Sequence, residues 1–132
     1  MQEIYPKLRD ADVLVLASPV YFYGISAQLK AIIDRLHTPM RDSFRIRQTA
    51  LLLVGAASMP ELFDAILTEY KLACRFFHLE HAGQVLVRGA KEKGDVRTGD
   101  ALQQAYDLGV SIAEPSLNLA KARRLCYTNK IK

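Results

Sequence analysis

The sequence predicts an α/β fold built on a parallel sheet. Two apolar runs, residues 13–17 (Val-Leu-Val-Leu-Ala) and 49–54 (Thr-Ala-Leu-Leu-Leu-Val), hold β-branched residues without the alternation of a half-solvated strand. That is the pattern of strands buried on both faces. Segments of helical period separate them, giving the order helix end, strand, helix, strand, helix, strand, helix. Such alternation implies right-handed crossovers and parallel pairing. A chain of 132 residues is expected to form one domain.

Each element has a local reason. Residues 2–8 read as the last turns of a helix with Ile4 and Leu8 on one face, ended by Asp10-Ala11-Asp12. After the first strand, Pro19 and Gly24 punctuate a loop over residues 18–24. Ser26 is placed to cap a helix carrying Leu29, Ile32, Ile33 and Leu36. After the second strand, Gly55-Ala56-Ala57 ends the run and Ser58-Met59-Pro60-Glu61 matches a capping box with proline in the first turn. Leu62, Phe63, Ile66, Leu67, Tyr70, Ala73 and Phe77 share the face of the helix that follows. Residues 84–87 are expected as a third, shorter strand, and 88–97 as a charged loop. A last helix starts at Thr98 or Asp100, carries Leu102, Ala105, Tyr106, Gly109 and Ile112, and stops at Pro115.

Composition narrows the class. Half the residues are hydrophobic and 24% are charged, as in globular proteins. The longest apolar run, residues 50–57, is far too short to span a bilayer, so no membrane association is expected. Cys74 and Cys126 form neither a CxxC pair nor a disulfide framework, which points to a reducing cytoplasm. The net charge is +4, yet five of the eighteen basic residues follow Pro115 and none of the fourteen acidic ones do. Residues 1–114 therefore carry a formal −1, the basic character belongs to a tail at 115–132, and nucleic acid is disfavoured as a partner.

The loop after the first strand carries the chemistry. Open parallel sheets bind ligands at the carboxyl ends of their strands, and Ser18, Pro19, Val20, Tyr21, Phe22, Tyr23 and Gly24 lie at such an end. Pro19 stiffens the exit, three consecutive aromatics offer faces and edges for stacking, and Gly24 permits close backbone approach. Backbone N–H groups here suit a carbonyl–imide edge. From the residues alone, the aromatics serve equally well as a cover for the sheet end.

Residues 11–35, from Ala11-Asp12 through Ser18-Pro19-Val20-Tyr21 to Lys30-Ala31-Ile32-Ile33-Asp34-Arg35, closely resemble the NADPH-dependent FMN reductase and iron–sulfur flavoprotein family. In that family an S-P-x-Y motif closes the third strand and K-x-x-x-D-R lies on the next helix. The resemblance implies a flavodoxin-like three-layer sandwich of strand order 2-1-3-4-5, of which this chain supplies strands 3-4-5. It implies FMN as cofactor, with Ser18, Pro19, Val20, Tyr21, Phe22, Tyr23 and Gly24 on the pyrimidine side of the ring. Gly55 and Ala56 would lie near the other side of the pocket. It implies NAD(P)H as electron donor, a small-molecule acceptor such as a quinone or flavin, and a homo-oligomer such as a dimer. No catalytic side chain follows from it.

The departures shape the expectation further. The glycine- and serine-rich phosphate loop of the family's first strand has no counterpart in this sequence, nor has the cysteine cluster of the iron–sulfur members. The chain thus reads as the C-terminal two-thirds of such a protein, a partial domain over 1–114 followed by the 115–132 tail. Weak flavin binding and doubtful activity of the isolated chain follow. No metal site is expected: His78 and His81 flank Glu80 at a helix–strand junction and read as surface or capping residues. Asp34 and Arg35 read as an exposed ion pair or a brace of the loop. Lys91, Lys93 and Arg97 read as a solvated loop, with a nicotinamide phosphate contact as the sharper alternative. Two functions remain: an FMN-dependent oxidoreductase, or a non-catalytic domain that binds a partner through an exposed sheet edge.

Overall fold

The computed structural model describes residues 1–114, so the 115–132 tail and Cys126 lie outside the described residues. Helix α1 (Ile4–Asp10) leads into β1 (Val13–Pro19), then α2 (Ala27–Asp34), β2 (Gln48–Val54), α3 (Asp64–Phe77), β3 (Glu80–Val87) and α4 (Ala101–Ala113). The strands form one parallel sheet in the order β1-β2-β3. Their carboxyl ends lie level, with Pro19 opposite Val54 and Val54 opposite Val87.

The core lies under α2 and α3. Alternation along the strands turns Leu16, Leu51 and Leu53 to this face, where they meet Leu62, Phe63, Ile66 and Tyr70. A second cluster of Leu8, Leu36, Phe44 and Ile46 seals the amino ends of the strands under α1. Thr49 also faces the main core. It is 1% exposed, and its Oγ1 takes no partner among the described residues. It lines a small, partly open apolar pocket of about 40 Å³ beside Leu14, Leu51, Tyr70 and Cys74.

The other face is covered at β3. Gly83 pairs with Ala50 across a bulge that skips Ala82. Leu108 of α4 occupies the space a Cβ at Gly83 would need, 2.5 Å from its ideal position. At β1 that face is bare among the described residues, and Val15 is 49% exposed. Burial on both faces, expected for the first strand, is therefore not met here, because no described helix lies over it.

Two local expectations fail for identifiable reasons. The capping box does not form. Met59 is extended, Pro60 opens a 3₁₀ turn (Pro60–Phe63), and α3 begins only at Asp64 without a side-chain cap. The third strand starts at Glu80 rather than 84, since Glu80 and His81 pair with β2 through backbone although their side chains are exposed. The Ser26 cap is present, its Oγ accepting from the Leu29 N–H at 3.3 Å. Helix α3 ends on left-handed His78 (φ 53°), with His78 and Leu79 donating to the Arg75 and Cys74 carbonyls. This is a Schellman arrangement with histidine in the usual glycine place.

Candidate functional site

Ser18 is the penultimate residue of β1 and is 6% exposed. Its hydroxyl donates to the Pro19 carbonyl (2.7 Å) and accepts the Ser26 N–H (2.9 Å), so one side chain joins both ends of the loop. Pro19 is exposed and paired to β2. The Val20 N–H donates to Val54 O at 2.8 Å, extending the ladder by one bond. Tyr21 and Gly24 then exchange two backbone hydrogen bonds of 2.9 Å each. Between them Phe22 (φ 47°) and Tyr23 (φ 66°) both sit in the left-handed region.

A two-residue turn with both central residues left-handed is the type I′ geometry, which strongly prefers Asn-Gly. Bulky residues there cost on the order of 1–3 kcal/mol each. The return is presentation: Phe22 is 98% exposed and Tyr21 63%. Tyr23 packs edge-on to Phe22 and reaches Met59, its hydroxyl 3.6 Å from Sδ. The turn also decides which backbone donors are free. Val20, Tyr21 and Gly24 spend their N–H groups internally, whereas those of Phe22 and Tyr23 take no partner among the described residues. Gly24 itself is not left-handed, and a Cβ there would meet only Tyr21 O at 3.5 Å. Nothing among the described residues therefore demands glycine at that position.

The loop after β2 lies alongside. Gly55 is buried, its N–H on Val87 O and its carbonyl on the Ala90 N–H. A Cβ at Gly55 would fall 2.5 Å from Leu62 Cδ2 and 3.6 Å from Val20 Cβ, so the two loops touch there. Ala56 is exposed. The structure brings residues 18–24, Gly55 and Met59 together at one end of the sheet.

Arg88 was not legible as a site residue. It donates to Met59 O (3.3 Å) and Pro60 O (2.9 Å) and lies 4.6 Å over the Phe63 ring. It holds the second loop against the end of β3. Its sequence signal was slight: one cation immediately after a strand.

The remaining candidates fall elsewhere. Asp34 pairs with Lys30 rather than Arg35, and Lys30 also reaches Glu69 at 3.5 Å. His81 Nδ1 hydrogen-bonds the Tyr70 hydroxyl at 2.9 Å, while His78 caps α3. Among the described residues no group of three or more His, Cys, Asp and Glu side chains is placed to hold a metal. Lys91, Lys93 and Arg97 are exposed, and their loop is closed by Asp95, which accepts the Lys91 and Glu92 N–H groups at 2.8 Å. No described helix is long and apolar enough to cross a membrane.

Comparison with known proteins adds the family level. The model of the NADPH-dependent FMN reductase family matches residues 1–87, which ends with β3. An iron–sulfur flavoprotein of Methanocaldococcus jannaschii is 49% identical over 47 residues, 36% of this chain and 24% of that protein. A Bacillus subtilis protein named as an NAD(P)H-dependent FMN-containing oxidoreductase is 24% identical over 113 residues, 80% of this chain and 62% of its own length. The solved structure of the Trp repressor binding protein from Bacillus subtilis superposes with a TM-score of 0.69 at 24% identity, over 81% of this chain and 68% of that one. The fold is thus flavodoxin-like. The chain spans between about a quarter and less than two thirds of the curated relatives it matches.

Proposed function

This chain belongs to the NADPH-dependent FMN reductase family, and on that premise we propose that it serves as an FMN-dependent NAD(P)H oxidoreductase of the flavin or quinone reductase type. The observation that carries the reading is the turn at Phe22 and Tyr23, where two aromatics hold left-handed backbone that a purely structural turn would give to Asn-Gly. Strain kept at a ligand-facing sheet end marks a place where the side chains themselves are wanted.

The residues fit the flavin ring. The free N–H groups of Phe22 and Tyr23 are donors for its carbonyl–imide edge, and Tyr21, Phe22 and Tyr23 supply stacking surface. Ser18 and Pro19 fix the exit from β1, Val20 and Gly55 close the floor between the loops, and Ala56 leaves the far side open. The described residues do not fit the phosphate, because among them no glycine- and serine-rich loop stands beside β1. When FMN is held here, the chemistry it supplies is two-electron transfer from NAD(P)H to a small-molecule acceptor. The chain's own part is to orient the ring and to favour negative charge at its pyrimidine edge.

Each charge-assisted hydrogen bond to a phosphate is worth about 1.5–3 kcal/mol, and these residues offer none. The 132-residue chain is therefore expected to bind FMN weakly and riboflavin within about threefold of it. Fluorescence-quenching titrations with FMN, riboflavin and FAD measure this. FMN bound a hundredfold more tightly than riboflavin would overturn the assignment of these residues to the ring alone, and absence of saturable quenching by either would overturn the site.

A second reading rests on β1, whose outer edge is unpaired among the described residues and whose uncovered face leaves Val15 half exposed. An unpaired apolar edge invites another strand, and a second copy of the chain, making a homo-oligomer, is the partner that fits. Light scattering beside the flavin titration separates the two readings: an oligomer without saturable flavin binding leaves only the second, and flavin bound by a monomer leaves only the first.

A further inference from the structure

At the opposite end of the sheet from the 18–24 loop, the α2–β2 connection and the end of α3 enclose an open cleft of about 490 Å³. That lies within the usual range for small-molecule sites. We propose that this cleft binds a small aromatic phosphate, a nucleotide in chemical class, independently of the flavin site.

Three arginines enter the connection within seven residues, and they are not equivalent. Arg45 is spent on Asp12, with contacts of 2.8 and 2.6 Å. Arg41 and Arg47 line the cleft and make no ion pair among the described residues. Arg41 Nη2 donates to Phe77 O at 2.6 Å, and Arg47 Nη1 to the carbonyls of Phe44 (3.1 Å) and Ile46 (3.0 Å). These backbone bonds fix both guanidiniums without neutralising them, and leave N–H groups of each fork uncommitted. Arg41 also lies over two rings, 5.8 Å from the Phe44 centroid and 5.4 Å from that of Phe77.

The two cations repel. Burial and the neighbouring Arg47 charge hold Arg41 below the ordinary arginine range, and Asp42 offsets this only as the smallest contribution. Asp42 is the one carboxylate among the cleft residues, set against two arginines, His37 and His78. An anion shared by the two guanidiniums would relieve the repulsion, and the planar fork of arginine matches phosphate oxygens.

The aromatic half of the ligand has its own surface. Phe76 is 62% exposed on the cleft wall and is held edge-on by both His37 (5.3 Å) and Phe77 (5.1 Å). A rigid exposed ring beside two unneutralised guanidiniums suits a base joined to a phosphate better than either alone. A long polyanion is disfavoured, since residues 1–114 carry a formal −1 and this positive charge is local.

The test is titration of the full 132-residue chain with 5′-AMP, without FMN, followed by ¹H–¹⁵N chemical shifts. Saturable shifts are expected at residues 37–47 and 76–78 and not at 20–24. Adenosine and inorganic phosphate should each bind at least about tenfold more weakly than AMP. Arg47→Gln should weaken AMP about tenfold or more. Phe76→Ala, which alters an exposed side chain and leaves the fold standing, should weaken it about fivefold or more. AMP shifts absent from the cleft, phosphate binding as tightly as AMP, or unchanged affinity in folded Phe76→Ala would each overturn the proposal. So would a single-stranded RNA bound far more tightly per nucleotide than AMP.

Discussion

Ser18 Oγ ties the end of β1 to Ser26 at the start of α2, bracing the 18–24 loop between them. Replacing it with alanine leaves the Ser26 N–H without its partner in a half-buried place, at a cost of about 1–3 kcal/mol. Ser18→Ala should therefore lower the urea midpoint and weaken flavin quenching together. A midpoint unchanged while flavin binding is lost would mean that Ser18 touches the ring directly instead of bracing the loop. The neighbouring turn gives a prediction of opposite sign. Phe22→Asn with Tyr23→Gly restores the residues a type I′ turn prefers and should stabilise the fold by about 1–2 kcal/mol. The same change should cost flavin affinity. Greater stability with undiminished affinity would show that the aromatics do not meet the ring. The composition of this loop was legible in the sequence because all its parts are contiguous. Its geometry was not: left-handed φ at two aromatics runs against their own preference, and the sequence pointed to Gly24, which has ordinary φ. Arg88 escaped for a different reason, since its partners Met59, Pro60 and Phe63 are met only once β2 and β3 stand side by side.

Among the elements, β1 and β2 could be read directly because both are continuous apolar runs. The first half of β3 could not, because Glu80, His81 and Gly83 contribute backbone pairing without an apolar pattern. Helix α3 was legible by its buried face but not by its start, where Pro60 favours a 3₁₀ turn over a capping box. That helix also ties the fold to pH. The Tyr70 hydroxyl donates to Thr49 O at 3.1 Å, and burial pushes its pKa well above the ordinary value of 10.0. A raised folded value means that the stability is fully present below pH 10 and falls as pH rises beyond it, because the unfolded tyrosine releases its proton first. Cys74 adds the same sign from 9.0 upward, again through burial. Urea midpoints measured from pH 8 to 11 should decline above 9. Tyr70→Phe should lower stability at pH 8 by about 1 kcal/mol and flatten the decline above 10. An equal decline in that variant would assign the alkaline transition to other groups.

At the scale of the whole molecule, the two proposed sites lie at opposite ends of the sheet. Its carboxyl end carries strained aromatics and free backbone donors. Its amino end carries unneutralised guanidiniums beside an exposed ring. The region matched by the family stops at Val87, the last residue of β3, and beyond it α4 packs on the sheet with Leu108 seated over Gly83. Between the two ends lies the small apolar pocket beside Thr49, a packing defect holding one hydroxyl that nothing in the described chain satisfies. Its consequence is mechanical. Empty internal volume disappears when a protein unfolds, so the unfolded chain and its solvent together occupy less space than the native state. Hydrostatic pressure acts on that difference. Under compression this core is expected to yield before its rim, with methyl resonances of Leu14 and Leu51 broadening at lower pressure than those of Leu8 and Ile46.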